Sequence, residues 1–153
     1  MALLNAAPQE INVKLYYREK KMPAGFTKII VIPNEEAEKT LKKAADAKEA
    51  KDKETDVQCL NTYWKILNWD MQNKITEQSA FFNESTQMPD INVWKYRDLR
   101  IRQCLVRWDL IDDQHVAVPV NDTAISMLPG EVVLALLEKY DEAVTLRPED
   151  RKN

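Results

Sequence analysis

Between Val57 and Trp108 large apolar residues recur at steps of three and four, and no other pattern in the chain restricts its fold as strongly. Val57, Leu60, Trp64, Leu67, Met71, Ile75 and Phe82 form one such series. A helix turns once per about 3.6 residues, so positions three and four apart share a stripe, and the series predicts a helix capped by Thr55 or Asp56. Tyr63, Ile66 and Trp69 fall beside the stripe and widen its apolar face. After a polar turn from Asn83 to Pro89, Asp90 is placed to cap a further helix. There Val93, Trp94, Ile101, Cys104, Leu105 and Trp108 face inward, while Arg97, Arg100, Arg102 and Arg107 lie mainly outside the stripe. Two long amphipathic helices joined by a short turn pack antiparallel.

The flanking segments read differently. Ile11, Val13, Leu15 and Tyr17 alternate with Asn12, Lys14 and Tyr16, the period-two signature of a half-buried strand. Pro23 and Gly25 interrupt it, and Phe26 to Ile32 returns as a second β-rich run, so residues 1–33 read as a segment built on a β-hairpin. Asn34 offers a helix N-cap, with Glu35, Glu36 and Glu38 where the helix dipole favours negative charge. Residues 34–55 are rich in Ala, Lys and Glu, which suits a solvated charged helix or linker.

Further on, Asp112-Asp113-Gln114-His115 makes a polar turn, and Val116 to Val120 is extended before and around Pro119. Asn121 or Asp122 caps a short turn, and Pro129 pre-sets a final helix with Val132, Val133, Leu136, Leu137 and Tyr140 buried. The expected fold is therefore mainly α: an N-terminal β-hairpin followed by a small antiparallel helical bundle over residues 56–144, ending in a flexible tail, 145–153. A chain of 153 residues is enough for one domain with a sizeable core.

Little in the sequence is suited to chemistry. Two glycines, Gly25 and Gly130, cannot build the glycine-rich loops that cradle phosphates, so the common nucleotide-binding motifs are excluded. The one histidine, His115, sits in a polar turn beside Asp112 and Asp113, without the i, i+4 pairing or calcium-loop alternation of a metal site. Ser79, Ser85 and Ser126 lack the glycines of a nucleophile elbow, and the acids Asp109, Asp141 and Glu142 read as ordinary residues at helix ends and turns. Neither enzyme activity nor a cofactor is expected. Cys59 and Cys104 fall within apolar helical patterns and read as buried free thiols, in keeping with a reducing compartment. The N-terminus lacks a basic n-region with an apolar core, and no segment approaches the ~18 apolar residues of a membrane span, so a soluble, membrane-free protein is expected.

The four tryptophans carry the strongest remaining signal, because indoles dominate both cores and binding hot spots. Spacing assigns Trp64, Trp94 and Trp108 to the core and leaves Trp69, off the stripe beside Asp70, for a partner surface. Trp69, Tyr63, Ile66, Arg97, Arg100 and Tyr16 form the candidate partner-binding set.

Taken together, Trp64-x4-Trp69-x2-Gln72-Asn73, the Asp90 to Trp108 segment, Trp108-Asp109-Leu110 with Val118-Pro119-Val120, Ile125, Leu128-Pro129 and Leu136-Leu137-x2-Tyr140 resemble the tail assembly chaperones of long-tailed bacteriophages. The likeness covers Thr62 to Tyr140. It implies a mostly helical, non-enzymatic protein of the host bacterial cytoplasm. Such a protein binds the tape measure protein, keeps its helices from aggregating, and helps recruit the tail tube protein before leaving the assembly. Five methionines and several aromatics would give the adaptable apolar surface this needs, and the hairpin could pair edges in a homo-oligomer.

Two other classes stay open at this point. A permanent virion component, such as a head-tail or tail completion protein, would use the same elements as a fixed interface. A small nucleic-acid-binding regulator would use the arginine-bearing helix, which the net charge of −3 argues against.

Overall fold

The computed structural model describes residues 9–46 and 56–145. At its centre is a four-stranded antiparallel sheet of order β2-β1-β3-β6, formed by β1 (Glu10–Lys21), β2 (Thr27–Ile32), β3 (Gln58–Lys65) and β6 (Leu105–Trp108). Around it lie α1 (Asn34–Asp46), α2 (Trp69–Ser79), α3 (Val93–Cys104), α4 (Asp122–Met127) and α5 (Gly130–Val144), and a separate two-stranded ribbon joins β4 (Ala80–Asn83) to β5 (Met88–Ile91).

The expected hairpin is present. β1 and β2 pair antiparallel from Tyr16↔Ile32 to Lys21↔Thr27, closed by a turn in which Gly25 adopts φ +93. The mainly helical bundle is not. The segment from Val57 to Phe82 is a strand, a loop, a helix and a second strand, and β3 pairs with β1 from Glu10↔Lys65 to Tyr17↔Gln58. The residues of the N-terminal hairpin and those after residue 56 thus share one sheet.

The cause of the difference lies in Thr62. Leu60, Thr62 and Trp64 point to one buried face while Cys59, Asn61 and Tyr63 point to the other, so the segment also satisfies a period of two once a threonine is counted as a core residue. Thr62 is buried because its hydroxyl is fully used: it donates to the Val13 carbonyl at 2.6 Å and accepts from Trp64 Nε1 at 2.7 Å. Similarly, the expected helix from Asp90 to Trp108 stops at Cys104, and Leu105–Trp108 is the edge strand β6. Asn68 and Asn92, rather than Asp56 and Asp90, cap the two helices, through Oδ1 to the amides of Met71 (2.9 Å) and Lys95 (3.1 Å).

The main core fills the space between the sheet and α3–α5. Val13, Leu15, Leu60, Trp64 and Leu105 meet Ile101 and Cys104 of α3, Ile125 of α4, and Val132, Leu136, Leu137 and Tyr140 of α5. The α5 stripe is the one read from sequence, and Asn121 caps α4 through the Ala124 amide at 2.8 Å. Asp112 closes the polar turn, its Oδ1 accepting from the amides of Gln114 and Val116, with His115 at φ +59. On the opposite face of the sheet, α1 lays Ala37 and Leu41 over Tyr16, Ile32 and Val57. The charged-helix expectation beyond Asp46, the possible Thr55 cap and the tail 146–153 lie outside the described residues.

Two further expectations change with the fold. Trp94 is not core but 70% exposed, whereas Trp64 is fully buried and Trp108 is half-buried with Nε1 donating to the Val118 carbonyl. Cys59 lies on the outer sheet face and is exposed, while Cys104 is buried at the end of α3. Among the described residues no helix is long and apolar enough to cross a membrane.

Candidate docking surface

Helices α2 and α3 form an antiparallel pair capped by the β4–β5 ribbon. The Asn92 amide donates to the Ser79 carbonyl at 2.8 Å, and Gln72 Nε2 donates to the Tyr96 hydroxyl at 2.7 Å. The arm places Ile101 and Cys104 of α3 in the main core and also buries Ile75 and Ser79 of α2. The rest presents large apolar side chains to solvent: Trp69 (80% exposed) at the start of α2, Trp94 (70%) and Val93 at the start of α3, and Phe81, Phe82 and Met88 on the ribbon. Strand alternation puts Phe82 and its cross-strand neighbour Pro89 on one ribbon face, and Phe81 with Asp90 on the other.

Where α2, α3 and α5 converge, Ile66, Leu67, Gln72, Tyr96, Arg100, Tyr140, Asp141 and Val144 line an open cleft. Trp69, the first residue of α2, is not part of this lining and stands 80% exposed one helical turn before Gln72. Arg100 is buried, contrary to its expected place outside the stripe, because Asp141 of α5 receives both of its terminal nitrogens. The rings of Tyr96 and Tyr140 lie over its guanidinium at 5.5 and 5.3 Å. Burial works against the charge, but the hydrogen bonds and charge of Asp141 outweigh it and hold the guanidinium more firmly protonated than an ordinary arginine. Burial raises the Tyr140 hydroxyl well above its ordinary value and moves the Cys104 thiol in the same direction.

The structure brings Ile66 and Arg100 together in this cleft, while Trp69 is exposed at the start of α2 outside its lining. Arg97 is half-buried and stacks on Trp94, 5.2 Å from the ring centre, at a second groove between α3, α4 and α5 floored by Ile101, Ile125, Leu128 and Val133. The remaining two candidates sit elsewhere. Tyr63 lies on the outer sheet face beneath Arg107, which pairs with Glu10 at 3.1 Å. Tyr16 is enclosed under α1 and has no free surface to offer a partner.

Phe81, Phe82, Met88 and Trp94 were missed as surface residues. The Phe81-Phe82 doublet carried a usable signal, because adjacent aromatics cannot both lie on one narrow helical stripe. Nothing in the spacing of Trp94 marked it as exposed.

Among the described residues, no group of three or more His, Cys, Asp or Glu side chains is placed to hold a metal ion. The arrangement offers aromatic and cationic contacts around apolar floors, which is the chemistry of protein recognition. No family model, curated protein or solved structure matches this chain.

Proposed function

We propose that this chain is a non-enzymatic bacteriophage tail assembly chaperone, acting in the host bacterial cytoplasm. It binds the tape measure protein through the α2–ribbon–α3 arm and assists addition of tail tube protein. The observation that carries the proposal is the exposure of Trp69 and Trp94 on two paired helices whose neighbours Phe81, Phe82 and Met88 are also exposed.

Leaving such side chains in water costs stability that their burial would supply, about 1.5–3 kcal/mol for a large apolar group. Extended exposed apolar surface commonly marks an interaction site. Trp and Arg, found together here as Trp94 with Arg97, are among the residues most enriched in binding hot spots. An amphipathic partner helix needs an apolar groove between helices, and the groove between α3, α4 and α5, with Ile101, Ile125, Leu128 and Val133, has that form, while the cleft between α2, α3 and α5 is half polar. The sequence resemblance, over Thr62 to Tyr140, includes this arm, although the mostly helical fold it implied is replaced by a sheet with helices.

The test is affinity purification from cells that co-express the chain with a phage tape measure protein and tail tube protein, alongside mass spectrometry of mature particles. Recovery of the tape measure protein, with the chain absent from particles, supports the chaperone. Stoichiometric presence in particles would instead make it a fixed virion component.

A further inference from the structure

Beyond Tyr17, β1 no longer pairs with β3, so Arg18–Lys21 and Thr27–Ile30 continue as a two-stranded ribbon past the body of the sheet. Its tip is basic and apolar. Lys20, Lys21 and Lys28 are exposed, as is Phe26, Glu19 is the single acid between Arg18 and Ile30, and Arg18 is paired to Asp56 at 3.1 Å. Lys20 and Lys28 stand directly opposite one another in the register. Like charges in that relation destabilise a strand pair, and a carboxylate brought between them would remove the penalty.

The opposite end of β2 opens into a groove of complementary character. Val31, Ile32, Pro33 and Ala135 give it apolar walls, and Glu35, Glu138 and Glu142 line it. Its one cation, Lys139, is held by Asn34 Oδ1 at 2.6 Å.

We infer that the basic ribbon tip of one copy of this chain docks into the acidic groove of a second copy, Lys20, Lys21 and Lys28 meeting Glu35, Glu138 and Glu142 while Phe26 enters between the apolar walls. The tip cannot reach the groove of its own chain. From Lys28 to Pro33 the extended strand spans about 17 Å, and the two surfaces lie at its opposite ends. Two different surfaces joined in this way make a head-to-tail contact, which closes into a ring or continues as a filament according to the rotation per step. The charge balance favours this occupant over nucleic acid, because the required acidic surface is present on the same molecule.

The experiment is sedimentation velocity of the purified full chain, treated with nuclease, at about 100 μM in low salt and again at about 0.5 M salt, where surface charge pairs are screened. The wild type is expected above monomer mass in low salt and close to monomer in high salt. Lys20→Glu/Lys21→Glu/Lys28→Glu and Glu35→Lys/Glu138→Lys/Glu142→Lys are each expected to associate at least tenfold more weakly. An equimolar mixture of the two restores association, because each then offers the other a complementary surface. Rescue by mixing separates lost docking from lost folding, and the milder Lys20→Gln/Lys28→Gln variant is expected to fall between. A wild type that stays monomeric in low salt overturns the inference. So does an oligomer that both charge-swapped variants retain, or association seen in an untreated control sample and absent from the nuclease-treated one.

Discussion

Trp64 of β3 and Tyr140 of α5 stack with ring centres 4.9 Å apart and planes 30° from parallel, and each ring's polar atom is tied to the sheet. The indole donates to Thr62 Oγ1, and the Tyr140 hydroxyl donates to the Lys65 carbonyl at 2.8 Å. The last helix is thereby fixed to the middle of the sheet through one aromatic pair.

Removing that pair should be costly in a graded way. Trp64→Ala empties a fully buried site and is expected to cost about 3–5 kcal/mol, while Tyr140→Phe loses one hydrogen bond and about 1–2 kcal/mol. Thr62→Val should also destabilise, by about 1–3 kcal/mol, because it strands the buried Trp64 N–H. Urea denaturation of the three variants checks the order; a Thr62→Val variant as stable as the wild type would contradict the role given to the hydroxyl.

The Arg100–Asp141 pair makes an asymmetric prediction. Asp141→Asn leaves a buried guanidinium without its carboxylate and should cost about 1–3 kcal/mol, less than a wholly enclosed pair would, because Asp141 is half-exposed. Arg100→Met leaves only that half-exposed carboxylate behind and should cost less. Thermal denaturation of both variants measures the difference, and a reversed order would argue against burial of Arg100.

Stability should be lost on the alkaline side. Burial raises the folded-state pKa of Cys104 above its ordinary 9.0 and that of Tyr16, Tyr17 and Tyr140 above 10.0. The unfolded chain therefore releases these protons first. The stabilisation is complete below about pH 9 and declines as pH rises toward the folded-state values. Denaturation midpoints at neutral pH and between pH 9 and 11 test the sign; a midpoint that rises with pH would contradict it.

The two thiols should differ in reactivity. Cys59 is open to solvent on the outer sheet face and should react with a maleimide in the native protein, whereas Cys104 should react only after unfolding. Counting modified thiols with and without denaturant decides it, and two native-state modifications would show that the end of α3 opens.

Legibility in the sequence followed the punctuation. The hairpin announced itself by alternation and a Pro–Gly interruption, the Asp112–His115 turn by its polar residues, and α5 by Pro129 and its apolar stripe. Strands β4 and β6 begin without such marks. The chain passes from α2 to β4 at Ser79–Ala80 and from α3 to β6 at Cys104–Leu105 with no intervening loop, glycine or proline. There the backbone simply turns extended, at ψ 145 for Ala80 and 118 for Leu105. What holds β6 extended is its pairing with β3, about forty residues away in sequence, and no local spacing records that. The same applies to the surface. Trp69 was legible because it left the stripe, but Tyr16 is covered by a helix that the strand's own alternation cannot reveal.

The most direct test of the docking surface is co-expression of a tape measure protein with wild-type chain or with Trp69→Ala/Trp94→Ala, measuring soluble tape measure protein and the amount co-purified. Both residues are largely exposed, so the variant should keep wild-type stability within about 1 kcal/mol, which denaturation checks in the same preparation. The expected result is soluble, co-purifying tape measure protein with the wild type, and at least a tenfold drop in co-purification with the folded variant, about the 1.4 kcal/mol that marks a significant contact. Equal recovery with both proteins, or a tape measure protein equally soluble without either, would contradict it.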